Sequence, residues 1–201
     1  AENATATITL NNVNIAAPSG QPAIDLLSGG TLTLNLADNS ANTLNGGSIG
    51  SSHAAPGIHV PTDAALLIQG GGSLTVMGGA SSSYGGAGIG GNASYIGVGE
   101  ACGTVLILTT GTTTIKGGSG QEGQSNDGND IGGGRGTEGD GDNGTGIRRD
   151  NEEDTYTVYG NLELPMDATI PENITVTIPG EASLTVPKDV TLTVKGTLTI
   201  N

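Results

Sequence analysis

Short segments in which threonine or serine alternates with a large aliphatic residue recur along the whole chain. A period of two predicts strands that bury one face and expose the other. The clearest segments are residues 7–10, 31–34, 73–76, 175–178, 183–186 and 191–194, and residues 105–108 form a further strand segment that is apolar throughout. Strands this short bury little surface alone, so each needs a neighbouring strand on both sides.

A longer repeat contains these strands. Its copies start at Ile24, Ile58, Ile89 and Ile131, with spacings of 34, 31 and 42 residues. The starts at Ile58 and Ile89 are each followed by two further strand segments, and the start at Ile24 is followed by the segment at residues 31–34. Three strands per repeat, with loops of variable length, are typical of the coils of a parallel β-helix. Because parallel crossover connections are right-handed, we expect an all-β fold, a single-stranded right-handed parallel β-helix with three sides.

The composition constrains the core of such a fold. The chain has 37 glycines but no Phe and no Trp, so its core must consist of stacked Leu, Ile and Val. Each fully buried aliphatic side chain contributes about 1.5–3 kcal/mol, which makes an aromatic-free stack feasible. An antiparallel sandwich would favour hairpin dipeptides and core aromatics, and both are scarce. The single cysteine, Cys102, is expected to be a small buried residue of this stack.

The pattern divides the chain into two regions. Residues 1–155 have the looped coils, with an acidic, glycine-rich insertion at about 119–154, and residues 156–201 have shorter, compact coils. No segment approaches the roughly 20 apolar residues of a membrane helix. Strand pattern begins almost at the first residue and runs to the last, so we expect both ends to be cuts in a longer chain.

The net charge of -14 excludes several partners. Nucleic acids and anionic lipid surfaces are bound by clustered Lys and Arg, and a balance of 6 basic to 20 acidic residues disfavours both partners. The charge suits a soluble protein outside the cell, and cation binding where the acids cluster.

Three runs of the sequence resemble bacterial cell-surface parallel β-helix proteins of the carbohydrate-binding-domain and adhesin type. These runs are residues 57–76, residues 87–91 and the strand-turn repeats of residues 170–200. The resemblance covers most of the chain outside residues 119–154, and its motifs are structural. It implies a secreted, extracellular module that binds a polysaccharide or a host-surface ligand, without catalysis and without a required cofactor.

Two other functions stay open. A β-helix polysaccharide lyase or glycosidase would use carboxylates with a basic residue, and Arg135, Arg148 and Arg149 lie among acids. We expect these arginines to lie in a loop and to pair with neighbouring carboxylates, so we assign no catalytic residue. A passive stalk would have neither a groove nor a converging set of charged residues.

The acidic insertion is a candidate calcium site. Calcium takes six to eight oxygen ligands in flexible loops, and the candidate ligands here are Asp127, Asp130, Asp140 and Asp142. The pattern lacks the third acid and the distal glutamate of a calcium loop. The alternative is a solvated insertion whose acids and glycines avoid collapse.

Sugar recognition often uses aromatic rings, and only four tyrosines are present. Tyr84 and Tyr95 lie in glycine-rich loops, which makes them our candidate ligand-binding residues. The two histidines, His53 and His59, have no third metal ligand nearby in the sequence, so we interpret them as a turn residue and a strand residue.

Overall fold

The computed structural model describes residues 4–50, 54–121, 127–137, 139–150 and 155–201 of the chain. Its strands stack in repeating order into sheets of parallel neighbours, which confirms the predicted β-helix class. Within the described residues, no helix has the length and apolar character needed to cross a membrane.

The first four coils each contribute one strand to each of three sheets. The strands in chain order are β1 (Thr5–Leu10), β2 (Asn14–Ala16), β3 (Ile24–Asp25), β4 (Thr31–Leu36), β5 (Ala41–Asn45), β6 (Ile58–His59), β7 (Ala65–Gly70), β8 (Ser73–Met77), β9 (Ile89–Gly90), β10 (Thr104–Thr109), β11 (Thr113–Lys116) and β12 (Ile131–Gly132). Sheet 1 contains β1, β4, β7 and β10, sheet 2 contains β2, β5, β8 and β11, and sheet 3 contains β3, β6, β9 and β12.

The register of the coils follows the sequence repeat. Ile24, Ile58, Ile89 and Ile131 are aligned across sheet 3, which confirms the predicted starts of the coils. In sheet 1, Leu32 is aligned with Leu66 and Val105, and all three are buried. Cys102 is buried in the same core, as predicted. The inward side chains therefore form continuous aliphatic stacks, which fill the core without Phe or Trp.

Glycine pairs connect sheet 2 to sheet 3 in successive coils. A Cβ atom on Gly118 would lie 1.9 Å from the carbonyl oxygen of Gly79, and one on Gly79 would lie 2.3 Å from that of Gly47. These glycines are thus required by the close approach of stacked backbones as well as by the turn.

The chain reverses direction after the fourth coil. Strand β13 (Gly146–Asp150) pairs in parallel with β10, and β14 (Thr155–Tyr159) pairs antiparallel with β13. The remaining strands are β15 (Asn161–Glu163), β16 (Ala168–Ile170), β17 (Thr175–Ile178), β18 (Ser183–Thr185), β19 (Leu192–Val194) and β20 (Thr197–Ile200). Strands β14, β17 and β20 extend sheet 1, while β15 with β18 and β16 with β19 form two short parallel sheets.

A second core lies on the opposite face of sheet 1. Val105 and Ile107 of β10 belong to the first core, whereas Leu106 and Leu108 pack with the C-terminal coils. Successive strand residues point to opposite faces, so these coils cover the side of the sheet that faces away from the first core. Met166 supports this placement, because its sulfur lies 3.8 Å from the hydroxyl of Thr33 on β4. Strand β10 is therefore buried on both faces.

Candidate functional site

A cleft of about 510 Å³ lies beside the β13–β14 hairpin. Its wall combines one aromatic ring with two guanidinium groups, two amides, hydroxyl groups and one carboxylate. The lining residues are Asn129, Asp130, Ile131, Asn143, Arg148, Arg149, Thr155, Thr157 and Tyr159. The wall is mostly polar, and convergent polar groups of this kind can fix the orientation of a bound ligand.

The hairpin register places Arg148 against Tyr159. Arg148 is directly opposite Thr157, and Gly146 is opposite Tyr159, so Arg148 and Tyr159 are diagonal neighbours on one face. The guanidinium carbon of Arg148 lies 4.3 Å from the centre of the Tyr159 ring, a cation–π contact. Tyr159 is still 48% exposed, so part of its ring remains accessible to a ligand.

Arg148 is held by backbone carbonyls rather than by a carboxylate. Its Nη1 donates to the carbonyl of Ile131 over 3.3 Å, and its Nη2 donates to that of Asn143. Its Nε is buried and has no hydrogen-bond partner. Burial lowers the pKa of Arg148, although a guanidinium stays charged at neutral pH. Among the described residues, no carboxylate forms a direct ion pair with this fixed positive charge of the cleft.

Arg149 lies where two clefts meet. Its Nη1 donates to the carbonyl of Gly111 over 2.6 Å, and its guanidinium carbon lies 5.7 Å from the ring centre of Tyr156. The buried Tyr156 in turn donates its hydroxyl to the carbonyl of Thr109 over 2.7 Å. A second cleft of about 340 Å³, which Glu172 also lines, borders Arg149 on its other side.

The placement of the arginines differs in part from the expectation of a loop. Arg135 does lie in a loop, where its Nη1 is 2.8 Å from a carboxylate oxygen of Asp140. Arg148 and Arg149 instead lie on β13. Ile147, the residue before them on this strand, is buried in the second core and fixes the position of the strand. Two of the three arginines are therefore rigidly positioned.

The four candidate calcium ligands are engaged within the protein. Asp127 accepts from the backbone amide of Gly120, and Asp142 accepts from that of Gly144, each over 2.8 Å. Asp140 pairs with Arg135. Asp130 lies at the cleft, where its Oδ2 is 3.3 Å from the Nζ of Lys116.

No three acidic, histidine or cysteine side chains of the described residues are grouped so as to hold a metal ion. Further acids of the same stretch lie outside the described residues, namely Glu122, Glu138, Glu152, Glu153 and Asp154. Calcium binding by this stretch stays a prediction.

The two candidate tyrosines lie away from the cleft wall. Tyr84 is half-buried, and Tyr95 is 57% exposed in the segment between β9 and β10, beside the exposed Ile96. Their part in ligand binding stays a prediction. Residues 155–158 alternate between threonine and an apolar side chain, which indicates the strand that carries Tyr159, but no local signal in the sequence places this strand against Arg148.

A polar cluster on sheet 3 joins His59 to two carboxylates. The Nδ1 atom of His59 lies 2.7 Å from Asp25, and its Nε2 lies 2.9 Å from Glu100. The side-chain amide of Asn92 also donates to Glu100 over 2.7 Å. Sequence interpretation missed this cluster, although Asp25 and His59 follow aligned isoleucines and are therefore in register. His53 lies outside the described residues.

The pKa values in this cluster favour an ion pair. Burial, the largest single effect, lowers the pKa of His59, but the hydrogen bonds and charges of Glu100 and Asp25 together raise it above its usual value. The hydrogen bond from His59 lowers the pKa of Glu100. Both ring nitrogens of His59 are engaged by carboxylate oxygens, so the imidazole has no free nitrogen to act as a base.

Part of the chain is similar to a known protein family. A family model described as a carbohydrate-binding domain-containing protein matches residues 1–89, which make up 89 of the 201 residues. The matched range ends at Ile89, the first residue of β9, so the cleft beside β13 and β14 lies outside it. Searches of curated proteins and of solved structures gave no match.

Proposed function

We propose that this chain is a non-catalytic polysaccharide-binding module of a bacterial cell-surface protein, and that it binds sugar in the cleft beside the β13–β14 hairpin. The observation that carries the proposal is the half-exposed ring of Tyr159, fixed by Arg148 in a cleft with amide and hydroxyl side chains. The family match over residues 1–89 supports carbohydrate binding as the class of function.

The chemistry of the cleft suits a sugar. A pyranose ring has an apolar C–H face, which packs on an aromatic ring, and an equatorial belt of hydroxyls that needs hydrogen-bond partners. Tyr159 supplies the ring, while Asn129, Asn143 and Thr157 supply donors and acceptors. With a single aromatic residue, each site binds weakly, so useful retention depends on several modules on one surface.

A role in adhesion is consistent with weak binding by several such modules on one surface. The cleft is an open depression beside the β13–β14 hairpin, so a long polymer can lie across it. Location outside the cell rests on the resemblance to surface β-helix proteins and is consistent with the net charge of -14.

A polysaccharide lyase is the second candidate, and the position of Arg148 and Arg149 on a rigid strand favours it. The carboxylates argue against it. Asp130 is the one carboxylate among the described residues that line the cleft, and it accepts from the amide of Gly117 and pairs with Lys116. Binding without cleavage is the better supported function, because a calcium-assisted proton abstraction needs several carboxylates.

A polysaccharide array probed with the fluorescently labelled chain tests this function. Saturable binding to a glycan, with no release of reducing ends or unsaturated products, is the expected result. Running the array in calcium and again in chelator tests the predicted calcium site at the same time. Product release would establish the lyase, and the absence of binding to any glycan in both buffers would leave a stalk or a protein-directed adhesin.

A further inference from the structure

We propose that the cleft selects anionic polysaccharides, whose sugar rings carry carboxylate or sulfate groups. This inference rests on the proposed function, since it names the class of glycan that the same cleft takes. It is argued from the charges on and next to the cleft wall.

The scarce positive charges of the chain converge on this cleft. Only six residues are Lys or Arg against 20 that are Asp or Glu. Arg148 and Arg149 line the cleft. Lys116 pairs with Asp130, the only carboxylate among the described residues of the cleft wall. Three of the six basic residues therefore lie on or beside one cleft of a strongly acidic protein. Binding of a neutral glycan would require none of these positive charges.

Arg148 is preorganised to bind an anion. The two terminal nitrogens of Arg148 each use one N–H for a backbone carbonyl, and each nitrogen carries a second N–H. A guanidinium binds a carboxylate through two parallel N–H bonds, and such charge-assisted bonds are about twice as strong as neutral ones. The stacking of Arg148 on Tyr159 fixes the orientation of the guanidinium group, so little side-chain entropy of Arg148 is lost when an anion binds.

The local charge balance permits an anion to approach. Lys116 and the amide of Gly117 bind the two oxygens of Asp130, which neutralises the one described negative group in the wall. The rest of the acidic chain repels a polyanion, so binding is confined to this cleft. Attraction between partly exposed charges is screened by salt, which makes the affinity dependent on ionic strength.

Matched pairs of polymers test the inference. Homogalacturonan is compared before and after removal of its methyl esters, and a sulfated galactan is compared with its desulfated form, by calorimetry at low and high salt. De-esterified or sulfated polymer is expected to bind at least about tenfold more tightly than its neutral partner, with the difference reduced by salt. The two pairs distinguish a carboxylate from a sulfate as the recognised group.

Three charge variants locate the effect. Arg149→Gln is expected to weaken binding of the anionic polymer about tenfold. Lys116→Gln acts on an exposed side chain, so folding is retained, and it is expected to weaken binding because Asp130 then loses its counter-ion. Lys188→Gln removes the same charge at an exposed turn outside the cleft and serves as the control.

The outcomes separate this inference from the proposed function. Equal affinity for the charged and neutral members of both pairs would overturn anionic selectivity and leave carbohydrate binding intact. Loss of affinity in Lys188→Gln equal to that in the cleft variants would overturn the assignment to the cleft. Failure of every polymer to bind would contradict the proposed function itself.

Discussion

The Nδ1 atom of His59 in the second coil lies 2.7 Å from the Oδ1 of Asp25 in the first coil. On its other side the same imidazole contacts Glu100, from the segment that leads into the fourth coil. The imidazole of His59 thus links three successive coils of the solenoid through its ion pairs with two carboxylates. Because both partners are carboxylates, the protonated form of His59 is the one that the fold stabilises.

Stability is therefore expected to depend on pH through this cluster. The folded pKa of His59 is raised above 6.5, so its contribution is complete below pH 6.5 and is lost as the pH rises through the folded pKa. The folded pKa of Glu100 is lowered below 4.5, so its contribution is present above pH 4.5 and is lost as the pH falls through that pKa. The cluster contributes most between these two values.

His59→Gln tests this expectation, since it keeps a polar side chain but no titrating group. We expect the variant to be about 1 kcal/mol less stable at pH 5.5 and nearly equal to the parent chain at high pH, because partly exposed charges contribute modestly. Denaturant unfolding followed by circular dichroism across this range measures the difference. A difference that does not change with pH would show that the imidazole acts only by packing.

The stacked glycines lead to a second prediction. Gly118→Ala places a Cβ 1.9 Å from the carbonyl oxygen of Gly79, so two coils must separate, and we expect a loss of about 2–4 kcal/mol in the free energy of unfolding. Gly50→Ala is the matched control, because its Cβ would meet no atom within 4 Å. Equal thermal stability of the two variants would show that the coils are not packed as closely as described.

The coil repeat was predictable because a period of two and a repeated isoleucine depend only on local chemistry. The alignment of Ile24 with Ile58 and Ile89 follows directly from that repeat. The second core was harder to predict, since it requires knowing that the chain reverses after β13. The signal was nevertheless present: residues 66–68 and 105–108 are runs of consecutive apolar residues, which are typical of strands buried on both faces.

The cleft could not be predicted from local pattern. Arg148 and Tyr159 meet only because β13 and β14 pair antiparallel in one specific register. Asp130 reaches the same cleft from the position directly before β12, and residues 133–145 separate it in the sequence from β13. Sites assembled from three non-adjacent segments leave no single motif, whereas the isolated tyrosines 84 and 95 were conspicuous in their glycine-rich loops.

The two-faced burial of β10 makes a third prediction. Leu106 is fully buried in the second core, so Leu106→Ala is expected to cost about 2–5 kcal/mol and to loosen the C-terminal coils first. Hydrogen exchange should therefore show lost protection in residues 156–178, with the first two coils less affected. Leu27→Ala removes the same atoms at a position that is 55% exposed, and little change is expected there.

Uniform loss of protection along the chain in Leu106→Ala would contradict this division. It would mean that the two cores unfold as one cooperative unit. Loss confined to the C-terminal coils would instead show that the second core is a separate layer added to the outer face of sheet 1.

The last prediction concerns which tyrosine contacts the sugar, Tyr159 in the cleft or Tyr95 in the loop between β9 and β10. Tyr159→Ala removes the ring from the cleft and is expected to weaken glycan binding about tenfold, as loss of an aromatic contact commonly does. Tyr95→Ala removes a ring of similar exposure from the loop between β9 and β10, and the affinity should be unchanged. Tyr159→Phe keeps the ring and the contact with Arg148, so it should bind like the parent chain.

Calorimetry with the best glycan from the array measures all three affinities, and circular dichroism establishes that each variant is folded. If Tyr95→Ala abolishes binding while Tyr159→Ala does not, the sugar site lies on the exposed loop beside Ile96 and not in the cleft. If Tyr159→Phe loses affinity as Tyr159→Ala does, the hydroxyl rather than the ring face makes the contact. The predicted order, with Tyr159→Ala alone impaired, requires a sugar that packs on the ring held by Arg148.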